Sequence, residues 1–286
     1  MRLSRNVGAF VVALLVTSGA CSLVIDTDPV QCQQAADCAA LGYPGAECVD
    51  NLCAADTAFL CRDVPFPEQT GETVDFSLKV VNLVNQQPYP GLTVRACLNL
   101  DPGCGNPVGE TMTDTAGDFT LALEEGFLGH LYIPPPPEDP DLVPLNAHIF
   151  PPPSNDPAVP VRAGLVVTRL ETITGLATLA GRTIEPGTGH LFFTAINCQG
   201  LPLEGVTVSS SVQTPETLVA YLGTSGQPDL ALLGTGTTGQ GAMINVPGGF
   251  VTISGLHKDK GLIFEQSVLV AADEITSVPI VPSPTP

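Results

Sequence analysis

The chain has 286 residues, enough for two domains of ordinary size, and it carries 10 basic against 29 acidic residues for a net charge of -19 at pH 7. That balance disfavours nucleic acid, whose phosphates call for clustered Lys and Arg, and adsorption to an anionic lipid surface. Glycine (29) and proline (28) are abundant and tryptophan is absent, a composition that suits short strands joined by tight turns and leaves no face of stacked aromatics for carbohydrate.

The N-terminus reads "MRLSRNVGAFVVALLVTSGAC". Arg2 and Arg5 precede an apolar run from Val7 to Val16, and small residues Ser18, Gly19 and Ala20 follow. The order basic, apolar, small is that of an export signal, and the run is too short for a membrane-spanning helix. Small residues directly before Cys21 resemble the lipobox of bacterial lipoproteins, with Ser18 standing where leucine is usual. The resemblance implies cleavage before Cys21, a diacylglycerol on its sulfur and further acylation of the new amino terminus. Several acyl chains give a stable anchor where one does not. Ser22 in place of an aspartate implies, on the same resemblance, sorting to the outer membrane.

Nine cysteines are present: Cys21, Cys32, Cys38, Cys48, Cys53, Cys61, Cys97, Cys104 and Cys198. Removing a lipidated Cys21 leaves an even number, which suits an oxidising compartment. Cys32, Cys38, Cys48 and Cys53 crowd a polar segment too short for an apolar core of its own. Two disulfides among them are expected, with three connectivities open. A four-thiolate zinc site is the rival, and the CxxC pairs it usually uses are missing. Cys97 and Cys104 flank the turn-rich "LNLDPG" and would close it. Cys61 and Cys198 are then left to pair with each other.

Period-two alternation starts at "TVDFSLKVV", with Val74, Phe76, Leu78 and Val80 on one side and Asp75, Ser77 and Lys79 on the other, the pattern of a half-buried strand. "QQPYPG" makes a turn and "LTVRAC" the return strand. "GETMTDTAGDFTLAL" reads as strand, turn, strand, and "GHLYI" as another strand. A Pro-rich stretch follows, read as a polyproline-like linker around one short strand, "LNAHIF", with a short helix within "VVTRLETITGLATLAG". A second block of strands runs from "HLFFTAINC" through "LEGVTVSSSV", "TLVAYL", "GAMINV", "GFVTISG", "LIFEQSVLV" and "EITSVPIV". The expected divisions are 1–20 signal, 21–60 tether and disulfide segment, 61–135 first sandwich, 136–185 linker, 186–282 second sandwich and 283–286 tail.

The two blocks share local patterns in one order. "PYPGLTV" (Pro88–Val94) matches "PLEGVTV" (Pro202–Val208), so Gly91 corresponds to Gly205. "TDTAGDF" (Thr113–Phe119) aligns with "TTGQGAM" (Thr237–Met243), and "EGFLGHLYI" with "GGFVTIS". These motifs resemble the carboxypeptidase regulatory-like, transthyretin-like β-sandwich. The resemblance rests on Gly91, Thr113, Asp114, Gly117 and Phe119, with Gly205 in the second copy. It implies a strand after the first turn, a hairpin at Gly117 and an inward aromatic at Phe119, and it implies non-catalytic accessory modules. The expected fold is all-β: two antiparallel β-sandwich domains after a small disulfide-stapled segment.

No catalytic or metal-binding residue is assigned, and no cofactor is implied. "GTGTTG" (Gly234–Gly239) fits GxGxxG, yet no helix can follow it in "QGAMINVPGG", and a turn is the better reading. His130, His148, His190 and His257 are scattered, without a metal-ligand spacing, and each reads as a partly exposed strand or loop residue. The "SSSV" and "SGLHK" serines lack a GxSxG context. Asp114 and Asp118 are too few ligands for a calcium loop, so Asp114 reads as a turn cap. The Pro-rich strips and strand edges are places where a protein partner could dock. The expected function is that of a lipid-anchored, non-enzymatic, structural or adhesive envelope protein, attached to the membrane through the lipid and presenting sandwich surfaces to protein or glycan. A hydrolase accessory or cryptic hydrolase, and a periplasmic ligand carrier needing an apolar cavity between the sandwiches, are the alternatives.

Overall fold

A computed structural model of the chain describes residues 30–41, 46–54, 56–101, 103–156 and 164–283. The signal segment, Cys21 and the final "PTP" lie outside them. The chain divides into two compact units, ending and starting at Ala55 and Asp56.

The first unit holds one helical turn and a half, α1 (Ala35–Ala40), and a two-stranded ribbon of β1 (Glu47–Val49) and β2 (Leu52–Ala54). Asp37 starts α1 by accepting the Gln33 and Gln34 backbone N–H groups at 2.8 and 3.0 Å. Disulfides join Cys32 to Cys48 and Cys38 to Cys53. They select one of the three connectivities and replace the core that so small a segment cannot build.

The second unit opens with a 3-10 segment (Thr57–Asp63) and then, among the described residues, forms fourteen strands and one helix. In order these are β3 (Thr73–Asn82), β4 (Thr93–Leu98), β5 (Gly109–Met112), β6 (Asp118–Glu124), β7 (Gly129–Ile133), β8 (Leu145–His148), β9 (Leu165–Val167), α2 (Leu170–Leu179), β10 (Thr188–Ala195), β11 (Val206–Ser210), β12 (Leu218–Tyr221), β13 (Gln240–Pro247), β14 (Gly249–His257), β15 (Gly261–Val270) and β16 (Ile275–Ile280). They build two β-sandwiches on three sheets. One sheet has eight strands in the order β12-β13-β10-β16-β8-β7-β4-β5, and the others are β6-β3-β9 and β11-β14-β15.

The two sandwiches share the eight-stranded sheet and lie on opposite faces of it. Side chains alternate across a strand, so register decides the face. Leu131 and Ile133 of β7 and Leu145 and Ala147 of β8 enter the first core, under the sheet containing β3. The parallel pairing of β16 with β8 sets Ile275 beside Leu145 and Thr276 beside Asn146. Ile275 therefore enters the first core, while Val278 and Ile280 enter the second with Leu191, Phe193 and Ala195. A single strand thus feeds both cores. The hairpins are antiparallel as expected, and three pairings, β3–β9, β10–β16 and β8–β16, are parallel.

The 136–185 stretch supplies β8, β9 and α2. All four β8 residues are buried, because each sandwich covers one of its faces. Phe150, just beyond β8, makes edge contacts with Phe66 (4.9 Å) and Phe264 (5.2 Å) and carries the packing into the second core. The 3-10 segment precedes the first sandwich in sequence yet is fastened to the second. Cys61 is bonded to Cys198, Arg62 donates to the Lys260 and Leu262 carbonyls, and the Lys260 ammonium meets the Asp56 carboxylate at 2.6 Å. Arg62 and Ser283, which donates its N–H to the Ile263 carbonyl, also occupy part of the outer edge of β15.

Candidate functional site

The motif residues form a duplicated turn lock. Thr113 is buried; its hydroxyl accepts the Leu92 N–H at 2.9 Å and donates to the Tyr89 carbonyl at 2.8 Å. Its backbone exchanges bonds with Gly91 and Leu92. In the second sandwich the same four bonds are made by Thr235. Its hydroxyl bridges Val206 N–H and the Leu203 carbonyl at 2.9 and 2.7 Å, and its backbone pairs with Gly205 and Val206. The counterpart of Thr113 is therefore Thr235, two residues before the Thr237 that sequence alignment chooses, and the counterpart of Gly117 is Gly239. Both glycines have left-handed φ (76° and 68°), and a Cβ on either would strike a carbonyl oxygen of the neighbouring strand, Val80 or Ala195. The alignment slips because "TGTTG" offers threonines two apart and only the hydrogen bonds tell them apart.

The corrected register explains the missing aromatic. Phe119 pairs with Leu78 across β6–β3 and is buried in the first core. The equivalent β13–β10 pair is Gly241 with Phe193. A Cβ on Gly241 would overlap the Phe193 ring, so the bulk has moved to the other strand of the pair. Asp114 caps its turn through Oδ1, which accepts the Ala116 and Asp118 N–H groups at 2.8 and 2.9 Å. Gly234–Gly239 is a turn leading into β13, a strand. Ser254 donates to the Glu265 carboxylate, and the Ser211 hydroxyl accepts the Thr252 N–H, so both serines are held in strand-to-strand contacts.

The remaining expected pair, Cys97 and Cys104, is joined by a disulfide that closes the loop after β4. The Sγ atoms of Cys32, Cys38 and Cys53 lie within 4.8 Å of one another, a spacing a metal would accept. Each of these sulfurs is committed to a disulfide, so none is a thiolate ligand.

The histidines depart from expectation. All four are buried, with His130, His148 and His190 only 2%, 8% and 1% exposed. His130 and His148 stand opposite each other in the β7–β8 register, rings 6.2 Å apart and tilted by 41°. Tyr132 and Asn146 form the next pair on the same face, and Cys97 sits beside His130. Alternation along β7 turns His130 away from Leu131 and Ile133, which enter the first core. What sequence hides is that the second sandwich extends over part of this face. Among the described residues no hydrogen-bond partner meets His130 Nε2, either His148 ring nitrogen or Asn146 Oδ1, and all are shielded from solvent. Burial pushes the His148 imidazole down to about 3, with His130 adding to the shift. It also lowers His130, against the pull of Asp101. Glu274, whose carboxyl burial raises, contributes with burial to raising Tyr132.

A cleft of about 440 Å³ opens where the start of β8, α2, the start of β10 and the loop before β16 meet. Its walls are largely apolar, from Leu142, Val143, Leu170, Ile184 and prolines 140, 144 and 186. Asp141, Asp273 and His190 supply the polar groups. Burial lowers the His190 imidazole, opposed by Asp273. The lining contains no serine, threonine or cysteine. Beside it, Asp139 accepts hydrogen bonds from the Tyr89 hydroxyl (2.5 Å) and from Arg169 (3.1 Å), tying the "PYPG" turn to the start of α2. Burial and this carboxylate push the Tyr89 phenol up to about 12. No helix among the described residues is long and apolar enough to cross a membrane.

No family model and no curated protein matches the chain. Among solved structures it is similar to a streptococcal ancillary pilin, at 14% identity over 75% of this chain and 70% of that one, with a TM-score of 0.24. The shaft pilin SpaA of Lactobacillus rhamnosus GG is similar at 11% identity over 75% and 99% of the two chains, with a TM-score of 0.23. The TIE protein of Bacillus anthracis matches at 11% identity and TM-score 0.23, over 73% of this chain and 33% of its own. Likeness at this distance carries no argument about activity or partner, and the all-β, two-sandwich architecture stands on the strands themselves.

Proposed function

We propose that the chain is an exported, lipid-anchored structural or adhesive protein of the cell envelope, working without catalysis. The observation that carries this reading is the cysteine pairing. Eight of the nine cysteines form four disulfides, which supports an oxidising compartment for the folded part. The ninth is Cys21, at the end of the export-type segment. The left-handed Gly117 and inward Phe119 support the carboxypeptidase regulatory-like resemblance. Binding to protein or glycan would then use the outer faces of the sandwiches, held rigid by the shared sheet. Intact mass of the membrane-extracted protein tests the anchor. A species beginning at Cys21 and heavier by acyl chains supports it, and a soluble species with an unmodified Cys21 thiol refutes it. Normal envelope attachment of a Cys21→Ser variant would refute it as well.

The cleft beside the first core favours a second reading, a ligand carrier. Its size lies in the range of small-molecule sites, and apolar walls with few polar groups are the usual composition. Native mass spectrometry of the exported protein reads this directly. A bound small molecule lost on Ile184→Trp, which fills the cleft, supports the carrier; an empty protein refutes it. A hydrolase finds less support, because the imidazole and carboxylates of the cleft face no side-chain nucleophile.

A further inference from the structure

A buried imidazole with both ring nitrogens unpaired is costly, because each polar atom has given up water and received nothing. His148 is in that position, His130 has one such nitrogen directly across the ladder, and Asn146 adds an unpaired amide oxygen two residues along the same face. Three donors with no protein partner converge on one strip of two adjacent strands. A metal ion can engage one nitrogen of each ring together with the amide oxygen, since it takes lone pairs from imidazole nitrogen and amide oxygen alike.

The geometry permits it. A metal about 2.1 Å from a ring nitrogen lies roughly 3.2 Å from the ring centroid, so two imidazoles on one ion have centroids no more than about 6.5 Å apart. The rings of His130 and His148 are 6.2 Å apart. A side-chain rotation bringing them about 1 Å closer gives the angle of a tetrahedral site. The strands hold the two Cα positions in place, so the rings alone need move. We propose that His130 and His148 form a bis-imidazole site for a borderline divalent cation of the Zn(II) or Cu(II) class, with the Asn146 amide oxygen as an adjacent donor. Imidazole prefers borderline metals to Mg(II) or Ca(II), which suits that ion. The ion would sit where the second sandwich extends over the first, and would tie β7 to β8 beside the strand that feeds both cores.

The test uses the exported protein without an affinity tag, stripped with chelator. Titration with Cu(II) and Zn(II) should show one equivalent bound, Cu(II) the tighter, and the Cu(II) spectrum should carry hyperfine structure from two imidazole nitrogens. His130→Gln and His148→Gln should each weaken binding at least tenfold, while His257→Gln leaves it unchanged. Saturating Zn(II) should raise the Tm of the parent protein and not of either variant. Absence of stoichiometric binding overturns the proposal, and so does undiminished affinity in folded His130→Gln or His148→Gln. If those variants do not fold, the nitrogen count on the parent protein decides: two imidazoles support the site, fewer refute it.

Discussion

His148 should make the fold acid-labile in a window set by its own titration. In the unfolded chain its imidazole takes a proton near the ordinary value of 6.5, whereas in the fold burial holds it down to about 3. The folded pKa is the lower, so below pH 6.5 the unfolded state binds the proton first and stability falls as pH falls, until the folded group titrates near 3. The slope is about 1.4 kcal/mol per pH unit for one group. Because His148 is almost fully buried, little solvent screening reduces this, and the loss across the window is on the order of 5 kcal/mol. The perturbation is His148→Leu, which removes the titration and keeps an apolar filler on β8. Urea unfolding followed by far-ultraviolet circular dichroism, at pH 7, 6, 5 and 4 with chelator present, gives the slopes; tryptophan fluorescence is not an option in a chain that has none. The parent should lose stability about one proton more steeply than the variant between pH 6 and 4. Equal slopes would refute the reasoning, since they would mean that His148 is protonated in the fold.

Three further outcomes rest on the turn locks and the long disulfide. Gly117→Ala should cost about 3 kcal/mol or more, because its Cβ would lie 2.5 Å from the Val80 carbonyl oxygen; Gly91→Ala has the same positive φ but open space, and should cost only about 1 kcal/mol in the same chemical melts. Thr113→Val and Thr235→Val each leave a buried backbone N–H without its hydroxyl acceptor and should lower stability by about 1–3 kcal/mol, to similar extents if the locks are equivalent. The Cys61→Ala/Cys198→Ala double variant opens a link spanning 137 residues, for which chain entropy gives a loss of up to about 5 kcal/mol; thermal melts should show a lower Tm, and limited proteolysis should cut first near the 57–63 segment, now tied to the second sandwich by Arg62 and the Lys260–Asp56 pair.

Much of the secondary structure is legible because the residues that make it are local. The alternation at Val74, Phe76, Leu78 and Val80 is the buried pattern of β3, and the short helix expected within "VVTRLETITGLATLAG" is the ten-residue α2. What is not legible is anything requiring a second segment to be placed. "LNAHIF" between prolines looks like a strand in a linker, yet it is buried on both faces because two sandwiches meet there. The four histidines read as partly exposed because their cover is not on their own strand: the His257 ring packs against Phe59, and His190 lies beside Asp273 and Asp141. The "TGTTG" register is undetermined locally, since either threonine continues the pattern, and only the hydroxyl bonded to Val206 and Leu203 identifies Thr235.

The duplication also bears on why the halves are not independent. Each repeat has a strand added in parallel at one edge of its inner ladder, β9 beside β3 and β16 beside β10. In the second repeat that strand also pairs with β8, so the edge that would otherwise close one sandwich becomes the middle of an eight-stranded sheet. Pairing there leaves neither β8 nor β16 as an exposed edge open to other chains, and it fixes the two sandwiches by backbone hydrogen bonds, where a linker would leave them free to swing. It also has a consequence for the polar side chains at the seam. A residue on the outer face of a lone sandwich would be wet; on a face continued by a second core it is buried. His130, His148 and Asn146 lie on the face turned away from the first core and are buried. Unpaired polar atoms on two adjacent strands, in matched register, are the reason to look there for a ligand.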